Sequence, residues 1–442
     1  MVLLAGCYTS PSQEEMIAAS SERLHLGLKA KPSEFVLPGT ITDPSCLSAD
    51  DVVVIALWNN PELQEALAGV GVERGKMLTA AHIANPRLSF MLPLGQRQFE
   101  FLAVHPVLDV WLLRPHRIEW ATKNAAHYAR TLEEQCLDVM LRIRLLCAKL
   151  SYNMAMHENL LQEKTVLERL IAFHRASFQS GQTSGLNVTQ LELELALLDA
   201  AIQREALDHK NVKHDLDQLM GASEHPWEWT LSEDTAEMPV VTLSKDALLK
   251  TALLSRPAVR ATEIQAEMAA QKHSIAVNDV WNFLIGISDK ELGESKASGW
   301  TLSIGLDVPI FNQNEGGKAT AKAELEKVLR TYEAQRNAIA HDIAAALQGM
   351  ENCRAQMDHF ETVVVPAAVQ YRQRVETLIQ NGRENQEALL LAERQIEKVQ
   401  AVRAQSVYQH RCAYHQLERA VASSLATASQ QERTERSSKG EE

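Results

Sequence analysis

The chain has 442 residues, 57 acidic against 44 basic, for a formal net charge of −13. That balance excludes a phosphate-backbone binder, whose domains are basic, and no run approaches the roughly 18 consecutive apolar residues of a transmembrane helix. With 19 Gly and 14 Pro, turn-forming residues fall well below their usual share of about 12%, so the helices are long and a string of compact domains of about 150 residues each is excluded.

In chain order, the opening Met1 to Cys7 ends in Leu4-Ala5-Gly6-Cys7, which resembles the box at which bacterial lipoproteins are cleaved and lipidated. The basic and apolar regions of a full signal are missing ahead of it, so residues 1–7 are read as a remnant signal with Cys7 as the lipidation site. Residues 8–50, punctuated by Pro11, Pro32, Pro38 and Pro44, are expected to form an extended arm. A first unit over 51–221 is expected to contain a helix over 58–84, strands near 87–92 and 99–113, a long helix over 114–178, a Gly turn at 179–185 and a helix over 186–220. A linker over 222–250 follows. A second unit over 251–424 repeats the plan, with helices over 251–277, 316–380 and 387–422 and strands near 282–288 and 299–308. The tail, 425–442, is polar and is expected to be disordered.

The repetition is explicit in the residues. Asn60-Pro61 and Arg256-Pro257 each open a helix with Pro in the first turn, 196 residues apart, and Gly181 and Gly382 stand 201 residues apart. A unit of about 200 residues is far longer than a solenoid repeat. At about 1.5 Å per residue, the long helix spans about 98 Å and the two shorter ones together about 93 Å. Two short helices laid tip to tail therefore match one long one. Leu191, Leu195, Leu198 and Ile202, like Leu389, Ala392, Ile396 and Val399, step by three and four as coiled-coil seams do. Four strands in one chain leave two edges, and edges within a membrane must be closed, so several copies would have to complete a barrel. The fold class expected is mainly α with a small β part, built as two tandem repeats.

Candidate chemistry is sparse. Gly71 to Met77 lacks the Gly and Ser/Thr of a phosphate loop, and His157-Glu158 lacks the second His of a zinc helix, Leu161 standing there. His410, Cys412 and His415 do not share one helix face. The six cysteines show no CxxC spacing, and Cys136 and Cys147, three turns apart on one helix, cannot pair. No enzyme, no cofactor and no metal site is read from the chain. Arg383, Glu384 and Glu387 supply charge beside the second Gly turn.

The run Gly305-Leu306-Asp307-Val308-Pro309-Ile310-Phe311-Asn312-Gln313-Asn314-Glu315-Gly316-Gly317-Lys318-Ala319 resembles the strand-to-helix step of the TolC-like outer-membrane efflux proteins. His105-Pro106-Val107-Leu108-Asp109-Val110-Trp111 resembles its first-unit version, and the turns beginning at Gly181 and Gly382 and leading to Ala392-Glu393-Arg394 are family-like, so the resemblance covers residues 52–424. It implies a homotrimer with a shared outer-membrane β-barrel and an α-helical periplasmic tunnel, in a Gram-negative bacterium. It further implies a passive export duct served by a periplasmic adaptor and an inner-membrane pump, with outer-membrane lipid as surroundings and no nucleic acid. The Phe-Asn-Gln-Asn-Glu-Gly-Gly wording is most similar to members exporting heavy-metal cations; a multidrug duct shares the fold, and a soluble coiled-coil scaffold is the alternative of another class.

The resemblance also assigns roles. Gly181, Gly382, Gly316 and Gly317 are its turn glycines, and Arg383, Glu384 and Glu387 the candidates for a tunnel-tip constriction. The family's tip aspartates fall on Ala388 and Leu391, and on Asn187 and Gln190 in the first unit, so the usual acidic ring is absent. Leu113-Arg114-Pro115-His116 stands where the first unit would carry a Gly pair, and the strands are poor in aromatics for a barrel with interface girdles.

Overall fold

The computed structural model describes residues 11–24, 35–83, 85–91, 100–106, 113–182, 184–224, 227–232, 244–278, 282–292, 297–307, 310–311, 313–423 and 425. In order, these form α1 (Gln13–Leu24), β1 (Cys46–Leu47), α2 (Ala49–Asn59), α3 (Pro61–Ala81), β2 (Arg87–Met91), β3 (Glu100–Pro106), α4 (Arg114–Gln179), α5 (Gly185–Leu219), β4 (Thr230–Leu231), α6 (Lys245–Ser255), α7 (Pro257–Asn278), β5 (Asn282–Leu292), β6 (Ala297–Asp307), α8 (Glu315–His359), a π-turn (Phe360–Val364), α9 (Val365–Gln380) and α10 (Gln386–Val421). The fold is mainly helical with a small sheet. Residues 1–7, with Cys7, lie outside the described residues, as does the tail apart from Leu425.

Three expectations change. The arm over 8–50 is not extended throughout, because α1 occupies Gln13–Leu24 and α2 begins at Ala49 under a capping box of Ser48 and Asp51. The helix expected over 58–84 is two helices. Asn60 separates them, its Oδ1 accepting from the Leu63 N–H at 3.1 Å and its Nδ2 donating to the Leu219 carbonyl at 2.9 Å. Arg256 separates α6 from α7 at the equivalent place. Finally, the long second-repeat helix is interrupted where the Val365 N–H reaches the Phe360 carbonyl. Pro366, with no N–H to give, follows directly.

The chain divides into two compact units. The first comprises the described parts of 1–30, 65–134 and 256–338, and holds the four-stranded antiparallel sheet in the order β2-β3-β5-β6. The β3–β5 pairing, from Glu100↔Lys290 to Pro106↔Leu284, joins the strands of the two repeats. Met77, Ala121 and Ala125 form an apolar cluster beneath Met16 and Ala80.

The second unit comprises 31–64, 135–255 and 339–442. Here Val166, Leu167, Leu170 and Ile171 of α4 pack with Leu390 of α10, and Leu191, Leu195 and Leu198 of α5 close over them. The seam read from leucine spacing is thus an internal core. The buried Trp229 donates its indole N–H to Asp217 at 2.8 Å, holding the short parallel pair β1–β4 against α5.

Candidate functional site

Strand residues point alternately to opposite faces, so the register sorts the sheet in the first unit. One face carries Leu88, Phe90, Phe101, Ala103, Ile285, Ile287, Trp300, Leu302 and Ile304 across all four strands, with His105 and Asp289 the polar residues among them. The other face is mixed, with Ser89, Gly286, Ser288, Thr301 and Ser303 beside Leu102, Val104 and Leu284. The apolar face is open at the sheet's outer strand, where Trp300 is 70% and Leu302 65% accessible, although Thr301 and Ser303 on the other face are exposed too. Phe90 and Phe101 pair on it with ring centroids 5.3 Å apart. Exposing such apolar side chains to water is unfavourable, and an apolar surrounding stabilises them. Among the described residues no helix is long and apolar enough to cross a membrane.

In the second unit, two turns share one construction. Gly181 adopts φ +77° and Gly382 φ +66°. The Gly181 N–H donates to the Phe178 carbonyl and the Gln182 N–H to the Ser177 carbonyl; the Gly382 N–H donates to Ile379 and the Arg383 N–H to Leu378, all at 2.9–3.0 Å. Both are Schellman closures, in which a left-handed glycine satisfies the last helical carbonyls. Ser184 and Asn385 then cap the next helix, accepting from Leu186 N–H at 3.2 Å and Ala388 N–H at 3.1 Å.

Gly316 and Gly317 are not turn glycines. Both lie in the first turn of α8, and the left-handed residue is Asn314, at φ 56°. Asn tolerates that conformation; its Nδ2 donates to the Ala276 carbonyl at 2.9 Å, and a side chain at Gly317 would collide with it. Pro115 is the second residue of α4, and Trp111 lies outside the described residues.

Of the three tip candidates, Arg383 and Glu384 are exposed. Glu387 is engaged: its carboxylate lies 3.2 Å from Nε2 of His174, a buried residue on α4. Ala388 is half-buried and Leu391 is 45% exposed on the same first turns of α10. Farther along, Arg394 reaches Glu163 on α4 at 3.1 Å and Glu194 on α5 at 2.7 Å, and Arg169 reaches Glu393 at 3.5 Å. These ion pairs join partners 200 to 231 residues apart, and no local pattern announces them.

No protein-family profile and no curated protein matches the chain. Solved structures do. The outer-membrane channel OprN shares 16% identity over 90% of this chain and 94% of its own, with a TM-score of 0.70. The outer membrane protein VceC from Vibrio cholerae shares 18% over 85% and 96%, with a TM-score of 0.67. CusC, a transmembrane channel, shares 17% over 95% and 99%, with a TM-score of 0.68. The chain has the TolC-like fold. Its strand pairs, long helices and turn-linked hairpins occupy nearly the full length of each of these channels.

Proposed function

We propose that the chain is the outer-membrane channel of a tripartite export system, a passive duct that performs no turnover. The observation that carries this reading is the largely apolar face across β2-β3-β5-β6, exposed at Leu88, Phe90, Ile287, Trp300, Leu302 and Ile304, on a sheet whose outer strands β2 and β6 have no further strand partner among the described residues. A membrane accepts strands only when their edges are closed, and four strands cannot close a barrel, so copies of the chain must share one. We read the assembly as a homotrimer in the outer membrane of a Gram-negative bacterium, with the helices in the periplasm, a periplasmic adaptor on the hairpin turns and an inner-membrane pump supplying energy. Cys7, when its full signal precedes it, is the site of a lipid anchor.

For cargo we propose cations, heavy-metal ions among them, on the support of the Phe311 to Gly317 wording and of the exposed Glu384 beside the second turn. A multidrug duct is the second reading, favoured by the uncharged Ala388 and Leu391. Two measurements test these proposals. The full chain should partition with outer membranes and conduct ions in planar bilayers, with Glu384→Lys shifting selectivity toward anions; recovery from the soluble fraction without detergent would instead establish a scaffold. Mass spectrometry of the N-terminal peptide should show acylated Cys7.

A further inference from the structure

The leucine seam of α5 does not stop at Ile202. Continued in steps of three and four, it runs through Glu205, His209, Val212 and Leu216, while the line of α4 that carries Leu167 and Leu160 continues through His157, Asn153 and Leu150. Lys164 of α4 meets Asp199 of α5 at 2.8 Å, and about two turns farther from the Gly181 turn this antiparallel register brings His157 level with Glu205, then Asn153 level with His209. Two polar layers thus interrupt the seam, between Leu160 and Leu167 on one side and Leu150, Val212 and Leu216 on the other, all of them buried.

The polar layers are left unsatisfied. Asn153 is wholly buried, and neither its amide nitrogen nor its amide oxygen has a hydrogen-bond partner among the described residues; Nδ1 of His157 and Oε1 of Glu205 are buried in the same condition. Burial pushes the Glu205 carboxyl up and the His209 imidazole down from their ordinary values, opposite shifts that both disfavour charge away from water. A buried polar atom without a partner carries its full desolvation cost, and water removes that cost as soon as the helices part. The apolar layers on either side have the opposite balance, since parting exposes them. The α4–α5 joint is therefore weakest at these two layers.

The surroundings direct how it parts. At the same level the other side of α4 is fastened to α10, where Tyr152 stacks on Tyr408 with ring centroids 5.1 Å apart and Nζ of Lys149 lies 4.6 Å and 5.6 Å from the two centroids. α5 is fastened on both sides of the layers: Leu191, Leu195 and Leu198 pack on α4, and toward its C-terminus Lys213 donates to the Trp229 carbonyl while Asp217 accepts from the Trp229 indole, both at 2.8 Å. We propose that Asn153, His157, Glu205 and His209 form a built-in parting point, at which about two turns of α5 lift from α4 and take up water while α4 stays on α10 and both flanks of α5 stay docked. The hairpin thereby bends at one place instead of along its length. The parting point belongs to a single chain and is independent of the assembly and cargo proposed above.

Hydrogen–deuterium exchange on the full chain in detergent, read by peptide mass spectrometry, tests the parting point. Amides of residues 203–211 should exchange about tenfold or more faster than those of 189–199, whereas residues 146–157 of α4, held by α10, stay slow. Replacing the pair that the register sets face to face, Asn153→Leu with His209→Leu, should slow exchange over 203–211 by about tenfold, with helix content by circular dichroism unchanged. Glu205→Leu alone should slow it in the same direction. Uniform protection along α5, or equal exchange in α4 and α5, overturns the proposal in the wild-type chain whether or not the variants fold; folded variants with unchanged exchange overturn it as well.

Discussion

Gly69 of α3 and the hydroxyl of Tyr128 of α4 share one space: a Cβ on Gly69 would overlap the phenol oxygen, which donates to the Ala66 carbonyl at 2.8 Å. The glycine is therefore a docking notch within a helix, where it would otherwise cost about 1 kcal/mol relative to Ala. Gly69→Ala should lower stability by about 1 kcal/mol through the displaced ring and its lost hydrogen bond. In a Tyr128→Ala background the same change should reverse sign and stabilise by up to about 1 kcal/mol. Thermal unfolding of the four proteins of this cycle measures the coupling.

Gly181 and Gly382 face open space, so Ala there meets no atom and costs only the left-handed backbone, about 1–2 kcal/mol. Asn should cost less than Ala at both positions. Gly221, at φ +69°, is different: its Cβ would land on the Asn59 carbonyl oxygen. Gly221→Ala should destabilise by about 3 kcal/mol or more, since both strain and overlap must be relieved. Melting temperatures ordered Gly221→Ala lowest would check this.

Glu397 offers a pH test. Burial, with Glu163 and Glu393 adding repulsion, holds its carboxyl above the ordinary range, and Oε2 is buried without a hydrogen-bond partner. The folded chain therefore binds this proton more tightly than the unfolded one, so ionisation removes stability as pH rises above the unfolded value of about 4.3. Glu397→Gln should melt higher than wild type at pH 8, with the difference closing as pH falls to about 4. A difference independent of pH would show that ionisation of Glu397 does not load the fold.

The cysteines should separate by reactivity. Cys147 is buried and its thiol is pushed up to about 12, chiefly by burial, so almost no thiolate forms at neutral pH. Cys136 is fully buried, whereas Cys46 is exposed. Iodoacetamide on the native protein should label Cys46 within minutes and spare Cys136 and Cys147 until unfolding. Peptide mass mapping reads the order.

Much of the helical plan was legible because its ends are chemical. Gly181, Ser184, Gly382 and Asn385 delimit α4, α5, α9 and α10 to within a residue or so, and left-handed glycines and polar caps are local signals. The helix α2 was missed because Val52, Val53, Ile55, Ala56 and Leu57 are all buried and so show no amphipathic period. The apolar sheet face was present in the alternation of Trp300, Leu302 and Ile304 with Thr301 and Ser303, but Gly286 and Gly305 weaken the pattern. Gly316-Gly317 drew attention away from Asn314, because glycine is the usual left-handed residue and asparagine the rarer one. The His174–Glu387 contact joins distant segments and could be seen only after folding.

The π-turn at Phe360–Val364 records how the two copies drifted. Five residues wound with about one extra per turn fall behind an α-helix by about one residue, or about 100°. On the side of the Gly turns, equivalent positions differ by 201. Beyond the π-turn the buried residues Val139, Ile143 and Leu150 of α4 correspond instead to Ile339, Ile343 and Met350, a difference of 200, while Gln348, the nominal counterpart of buried Cys147, is exposed. The π-turn thus acts as a phase shifter that absorbs a one-residue insertion without turning either apolar stripe to the outside. Deleting one residue there should return the segment to regular α-helix in step with α4, with Ile339, Ile343 and Met350 still on the core side.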